Sequence, residues 1–205
     1  MSFVNAIKKP YTNLKDLGIG LVVTLVPILN FATMGYALRC GTDKGDKLPD
    51  WSEFGDLWVK GLLGIIISLI WSIPYLAVMF LTVGTAVLGG MANPAAMLGA
   101  LGGGMIITML LGLLTFYFVP IAVLNYANNG FGAAFAFGDI FKKAFTSKWF
   151  VSWILALVAA ILVQIVATVL NMVLLITIIG PFIVMLLAIF SILVTSFTLY
   201  GEGYK

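Results

Sequence analysis

The sequence predicts an all-α integral membrane protein, a bundle of four to five transmembrane helices, and three observations lead to this fold class. Hydrophobic residues make up 62% of the chain and charged residues only 9%, whereas charged residues alone make up about a quarter of a soluble protein. The 205 residues contain five apolar stretches, each long enough to cross a bilayer as a helix of roughly 20 residues. One segment occurs twice, which indicates an internal repeat. A single membrane domain, residues 1–205, therefore accounts for the chain.

The five apolar stretches are separated by two charged connections and two uncharged ones. They lie at residues 17–38, 61–88, 98–127, 149–178 and 181–200. Pro27, Pro74 and Pro120 lie inside stretches, where a missing backbone N–H kinks or breaks a helix. Pro181 follows Gly180 and is expected to begin the last helix. The glycine-rich run 89–104 carries no charge and is predicted to be a flexible connection.

The repeat is imperfect and covers roughly residues 17–90 and 101–178, with the final helix 181–200 outside it. Val-Pro-Ile-Leu-Asn-Phe-Ala at 26–32 is echoed by Val-Pro-Ile-Ala-Val-Leu-Asn-Tyr-Ala at 119–127. Asn30 and Asn125 occupy matching positions beside proline. They could form a polar site at the repeat interface, where broken helices meet as in transporters. Alternatively they hydrogen-bond carbonyls and neighbouring helices, and we favour this second role.

The charged connections are predicted to form two amphipathic helices in the membrane interface. In residues 50–60, Asp50 is placed to cap a helix, with Glu53 reaching back three positions later. Residues 137–145 place aromatic and aliphatic side chains opposite one aspartate and two lysines, a pattern typical of interfacial helices. The predicted interfacial anchors are Trp51, Trp58, Trp149, Lys60, Lys142 and Lys143.

The distribution of basic residues leaves two topologies open. If all five stretches cross, eight of the 11 Lys and Arg residues fall on one side and three on the other, which is a poor fit to the positive-inside rule. If the first stretch instead bends near Pro27 and returns as a re-entrant hairpin, all of them face the cytoplasm. The counterargument is length, because 22 apolar residues can also span as one helix. Either way, the C-terminus and the charged loops are predicted to lie on the cytoplasmic side of the cell (plasma) membrane.

Composition excludes several function classes. The chain has no histidine and one cysteine, Cys40, so histidine- and thiolate-based metal, haem and Cys-His sites are ruled out. Every acidic residue lies in a loop or at a helix end, and no nucleophile with its base is evident, so we expect no enzymatic activity and no cofactor. The net charge of +3 comes from lysines that border apolar stretches. It predicts contact with anionic lipid headgroups rather than nucleic acid. A homo-oligomer or a membrane-protein partner is compatible with the composition.

One set of residues resembles a known family of uncharacterised polytopic membrane proteins, found largely in archaea, that carry a domain of unknown function. The pattern comprises Pro27 through Gly35-Tyr36-Ala37-Leu38-Arg39, Leu48-Pro49-Asp50-Trp51 with Phe54 and Gly61, Pro120 with Leu124-Asn125-Tyr126, Gly180-Pro181-Phe182 and Leu199-Tyr200-Gly201. The resemblance implies an all-helical membrane domain without assigned activity. That domain is distantly similar to membrane domains that accompany glycerophosphodiesterases.

Two functional hypotheses follow. The leading one is a non-enzymatic membrane protein with a structural, assembly or bilayer-shaping role, in which interfacial helices and a half-depth hairpin wedge one leaflet. The alternative is a small permease or pore for lipid or a neutral solute, built on the repeat with Asn30 facing Asn125.

Overall fold

The computed structural model describes residues 2–43, 45–177 and 179–205, and within them it contains α-helices and 3₁₀ helices but no strand. The α-helices are α1 (Phe3–Lys8), α2 (Leu14–Leu25), α3 (Asn30–Thr42), α4 (Phe54–Ala92), α5 (Pro94–Asn129), α6 (Phe137–Ala144), α7 (Ser147–Leu174) and α8 (Ile179–Tyr204). Two 3₁₀ helices, Lys9–Tyr11 and Phe131–Phe135, lie between them. The all-α prediction is confirmed.

In the part of the chain that the structure describes, four helices are long and apolar enough to cross a membrane. These candidate spans are Phe54–Met91, Gly102–Asn129, Ser147–Leu174 and Ile179–Tyr204. They correspond to the last four apolar stretches of the sequence. The first stretch is not among them, because it forms two short helices.

Helices α2 and α3 form an antiparallel hairpin that bends at residues 26–29, around Pro27. Near the bend, the hydroxyls of Thr24 and Thr33 lie 3.1 Å apart. At the open end, the Lys9 ammonium pairs with the Asp43 carboxylate at 3.4 Å. The segments before α2 and after α3 therefore lie side by side, and the five-crossing alternative is wrong. Pro27 removes one N–H at the bend, but Pro74 and Pro120 lie inside the continuous helices α4 and α5. The sequence prediction that prolines break a helix is therefore wrong for these two, and proline alone does not explain the bend.

The chain divides into two compact units, and the first comprises Met1–Ile65 and Pro120–Lys205. Its central element is α8, which has 61% of its most apolar window buried, against 22% for α7. Helix α7 packs antiparallel along α8. Before α2, the Tyr11 hydroxyl donates to the Ser191 hydroxyl of α8 at 3.0 Å. The main core cluster combines α2, α3, α8, the segment before α4 and the first turn of α4. Its buried residues are Leu17, Val23, Ala32, Tyr36, Cys40, Leu48, Leu57, Phe190 and Val194.

The second unit, Ile66–Val119, consists of the remaining parts of α4 and α5, which run antiparallel. Trp71 stacks against Phe118 with ring centroids 6.3 Å apart. Further along, the hydroxyls of Thr82 and Thr108 lie 3.4 Å apart, and Gly104 leaves room for the Thr82 side chain. This unit is a two-helix hairpin with small residues at its closest approach.

Two sequence predictions about helix bounds are wrong. Asp50 does not cap a helix: α4 begins at Phe54 and continues without a break to Ala92, so no separate interfacial helix forms there. The carboxylates of Asp50 and Glu53 instead face Arg39, at 3.8 and 3.1 Å. The glycine-rich run is also mostly helical, with only Asn93 between α4 and α5, because no proline or charge interrupts it before that position.

Candidate functional site

The tip of the α2–α3 hairpin presents apolar side chains outward. Val22, Leu25, Val26 and Ile28 are all exposed. With 12 and 13 residues, the two arms are about 18 and 20 Å long at 1.5 Å per residue. By the same measure the 26 residues of α8 extend about 39 Å. The hairpin is thus half as long as a span and ends in an apolar tip.

Glycines bring α3 into backbone contact with both of its neighbours. A Cβ on Gly61 of α4 would lie 1.7 Å from the carbonyl oxygen of Phe31, and one on Gly35 would lie 1.8 Å from that of Leu57. On the other side, a Cβ on Gly201 of α8 would lie 1.8 Å from the carbonyl oxygen of Gly41. No other residue fits such approaches. The hairpin is fixed to the protein along α3.

The aromatic residues of the sequence pattern meet beside these glycines. The rings of Tyr36 and Trp51 stack with centroids 4.0 Å apart and an interplanar angle of 7°. The Tyr36 hydroxyl donates to the carbonyl of Pro49 at 2.5 Å, and the Trp51 indole N–H donates to the carbonyl of Asp16 at 2.9 Å. These contacts hold the segment that follows α3 against the α2–α3 hairpin.

A second feature of the first unit is an open cavity of about 510 Å³ lined almost entirely by polar side chains. We call it the basic polar pocket. The end of α5 contributes three asparagines, α6 contributes an aspartate and two lysines, and the C-terminal segment contributes a tyrosine and a lysine. Its lining residues are Asn125, Asn128, Asn129, Asp139, Lys142, Lys143, Tyr204 and Lys205.

Asn125 organises the pocket from its buried position on α5. Its amide N–H donates to the carbonyl of Ala133 at 2.7 Å. Its carbonyl oxygen accepts from the Tyr204 hydroxyl at 2.6 Å and from the Asn129 amide at 3.0 Å. The amide is therefore held in one orientation. It connects α5 to the end of α8.

Lys143 of the basic polar pocket is held in place by Tyr204. Its ammonium lies 3.8 Å from the centre of the Tyr204 ring and donates to the Tyr204 carbonyl. Partial burial, and then repulsion from Lys148, lowers the pKa of Lys143 below the ordinary lysine value, while Asp139 acts in the opposite sense. Lys142 is exposed at the rim of the same pocket. The arrangement concentrates positive charge where solvent or lipid can enter.

The predicted interfacial anchors have different surroundings. Trp149 is fully buried and packs on Tyr200 with centroids 5.6 Å apart, so contact with headgroups is not available to it. Trp58 is half-buried, and its indole N–H donates to the carbonyl of Ile28 at the hairpin tip, at 2.7 Å. Lys60 pairs with Asp56 on the surface of α4 at 2.8 Å.

The structure does not bring Asn30 and Asn125 into contact. Asn30 is exposed at the start of α3, beside the hairpin tip. Asn125 lies in the pocket described above, next to Leu124, whose side chain meets Gly41 near the other end of α3. A shared polar site stays a prediction without a supporting contact. The pocket around Asn125 was not predicted from the sequence. The spacing of Asn125, Asn128 and Asn129 places three polar side chains on one face of a helix, and this pattern could have indicated the pocket.

Residues 19–172 match a protein family described as protein of unknown function (DUF4013). The chain belongs to this family. The match covers the α2–α3 hairpin from its first arm and extends through α7, so the DUF4013 region includes most of the first unit's helices and all of the second unit. No curated protein and no solved structure matches the chain. The DUF4013 description assigns no activity.

Proposed function

We propose that this protein is a non-enzymatic membrane protein that shapes the bilayer by inserting the α2–α3 hairpin as a wedge into one leaflet. The single observation that carries the proposal is a half-length helical hairpin with an exposed apolar tip. The side chains of Val22, Leu25, Val26 and Ile28 are exposed by 38% to 68%. A bilayer interior would give these side chains apolar surroundings, and burying an apolar side chain is worth roughly 1.5–3 kcal/mol.

Length supports insertion into one leaflet rather than a full crossing. Arms of about 18–20 Å are longer than one leaflet of a hydrocarbon core about 30 Å thick and shorter than the whole core. The hairpin is also fixed relative to the rest of the first unit, because close contacts at Gly35 and Gly41 hold α3 against α4 and α8. Apolar volume fixed in one leaflet favours curved bilayers, as amphipathic interfacial helices do.

Electrostatics supports a cytoplasmic position for the open end of the hairpin. Asp43 pairs with Lys9 at 3.4 Å, and its backbone carbonyl accepts from Lys205 at 3.4 Å. The segment before α2, the connection after α3 and the end of α8 therefore share one side, and each carries lysine. Positively charged segments favour the anionic cytoplasmic leaflet, so we infer that this side faces the cytoplasm of a cell membrane.

The alternative of a small permease or pore has less support. It needs a polar site shared by Asn30 and Asn125, and these side chains lie in different surroundings. The basic polar pocket is open at the surface of the first unit, a geometry that suits binding more than passage.

The proposal is tested by reconstituting the purified protein into vesicles and measuring vesicle diameter by electron cryomicroscopy at increasing protein-to-lipid ratios. The wild type is expected to yield smaller or tubular vesicles as the ratio rises. Ile28→Asp places a charge on a tip residue that is 68% exposed, so it leaves the fold intact but opposes insertion. We expect it to abolish the effect.

The matched control is Leu14→Asp. Leu14 is 78% exposed on the same hairpin but at the first residue of α2, the open end. This variant is expected to behave as the wild type does. Vesicles of unchanged size with the wild type, or equal effects of the two substitutions, would refute the wedge.

A further inference from the structure

We propose that the basic polar pocket is a binding site for a phosphate group, carried by a lipid headgroup or present as free inorganic phosphate. The inference goes beyond the wedge and does not depend on it, because the pocket lies at α5, α6 and the end of α8. It assigns a ligand class to residues for which the family match gives no role.

The size of the pocket suits such a ligand. Its volume of about 510 Å³ falls within the roughly 300–1,000 Å³ typical of small-molecule sites. That volume accommodates a phosphate with the glycerol unit of a lipid. The open mouth would leave acyl chains outside.

The chemistry of the lining favours an anion. Three lysines, Lys142, Lys143 and Lys205, and one aspartate, Asp139, line the pocket. The Lys205 ammonium also lies 3.8 Å from the Glu202 carboxylate, so the excess of positive charge rests mainly on the two lysines of α6. Lysine binds phosphate as a point charge, and bonds from a charged donor are roughly twice as strong as neutral ones. Lys143 is also pre-positioned, because it is held on the Tyr204 ring at 3.8 Å. An ammonium has three N–H donors, and the bond to the Tyr204 carbonyl uses one.

A bound anion would also relieve an existing electrostatic cost. Lys143 is partly desolvated and lies near Lys148, a second cation. Both effects disfavour the charged form of the Lys143 amine, and an anion beside the amine would offset them by attraction. A metal cation would be repelled by the same lysines, and the described residues contain no group of three acidic, cysteine or histidine side chains that could hold one.

The surface beside the pocket indicates why a lipid is a suitable source of the phosphate. On α6, Ile140 and Ala144 are buried, while Phe137 and Phe141 are exposed together with the following Phe145. Exposed aromatic side chains next to lysines are typical of helices at headgroup level. A pocket at that level meets lipid phosphates directly.

The test measures binding to the full-length protein in uncharged maltoside micelles at constant ionic strength. The probes are dioctanoyl phosphatidylglycerol, dioctanoyl phosphatidylcholine and inorganic phosphate, and the readouts are the apparent Kd and the shift in melting temperature. Lys142→Gln removes one exposed rim charge. It is expected to weaken phosphatidylglycerol binding by about tenfold, which corresponds to loss of one charged contact. Lys47→Gln, an exposed lysine in the connection before α4, removes the same charge elsewhere and is expected to leave binding unchanged.

Each outcome decides the question. Tighter binding of phosphatidylglycerol than of inorganic phosphate, sensitive to Lys142→Gln, supports the site with a lipid as the source. Equal binding of inorganic phosphate with the same sensitivity supports the site with a soluble source. Equal affinities of Lys142→Gln, Lys47→Gln and wild type, or no binding of either anionic probe, overturn the proposal. Lys143→Gln provides a second variant, and Ile28→Asp is expected to bind normally, so failure of the wedge would not be mistaken for failure of the site.

Discussion

Replacing Gly61 by alanine is expected to force α3 and α4 apart and to destabilise the first unit. The Cβ of the new alanine would lie 1.7 Å from the carbonyl oxygen of Phe31 and 2.7 Å from the backbone nitrogen of Gly35. Both contacts are to backbone, so no side-chain rotation can relieve them. The helices must separate or tilt.

The magnitude follows from the geometry. Ordinary contact begins at 3.4 Å, so the Gly61 and Phe31 backbones must separate by about 1.7 Å, which removes dispersion contacts along the crossing. Overpacking of this kind costs about 1–3 kcal/mol, and backbone contacts place the substitution at the upper end. Alanine recovers about 1 kcal/mol over glycine in a helix interior. The net loss is about 2 kcal/mol.

The assay compares Gly61→Ala with Gly55→Ala in thermal unfolding in maltoside micelles. Gly55 lies on the same helix, and a Cβ there would meet nothing within 4 Å, so its substitution is expected to be neutral or slightly stabilising. For a chain of this size, 1 kcal/mol shifts the melting temperature by about 2–4 °C, so Gly61→Ala is expected to melt about 4–8 °C below the wild type. If Gly61→Ala melts at or above Gly55→Ala, the close approach of the two helices is not as described.

Two further predictions concern the lysines of the first unit. Asp43→Ala leaves the fully buried Lys9 without its carboxylate. It is expected to destabilise the protein more than Lys9→Met does, because an unpaired buried charge costs more than a lost ion pair. The melting temperatures of the two variants measure this difference, and an equal or reversed order would contradict it. In NMR of ¹³C-dimethylated protein, Lys143 is expected to titrate below the ordinary lysine pKa, because burial lowers the pKa of Lys143. The unfolded state then binds the Lys143 proton more tightly than the folded state does. The Lys143 contribution to stability therefore rises with pH between its lowered pKa and the ordinary lysine value of 10.5. A Lys143 signal that titrates at or above the ordinary lysine value would remove the basis for this dependence.

The helical membrane architecture could be predicted from the sequence because apolar length is a local property. Twenty or so apolar residues in succession determine a span almost independently of the rest of the chain. The hairpin could be predicted only as one of two alternatives, because an apolar stretch of 22 residues is long enough for either a single span or two short antiparallel arms. The distribution of lysines favoured it, and the contact between Lys9 and Asp43 agrees with that signal. The internal repeat and the archaeal distribution of the family stay predictions.

The start of α4 and the basic polar pocket could not be predicted, for different physical reasons. Asp50 and Glu53 have the spacing of a capping box, but Arg39, distant in sequence, binds Glu53 at 3.1 Å. Glu53 adopts a φ of 57°, which lies outside the helical region. In the pocket, Asn125 and Tyr204 are 79 positions apart. Local patterns carry no information about such pairings.

The central position of α8 has a consequence for biosynthesis. The Tyr11–Ser191 hydrogen bond joins residues 180 positions apart, and α3 rests on α8 through Gly41 and Gly201. A ribosome therefore delivers the hairpin to the membrane long before the helix that supports it exists. If the hairpin enters one leaflet as proposed, it does so before α8 has been made. Contacts this distant in sequence form slowly because a long loop must close first. The contacts that fix the hairpin to α8 are therefore among the last that can form.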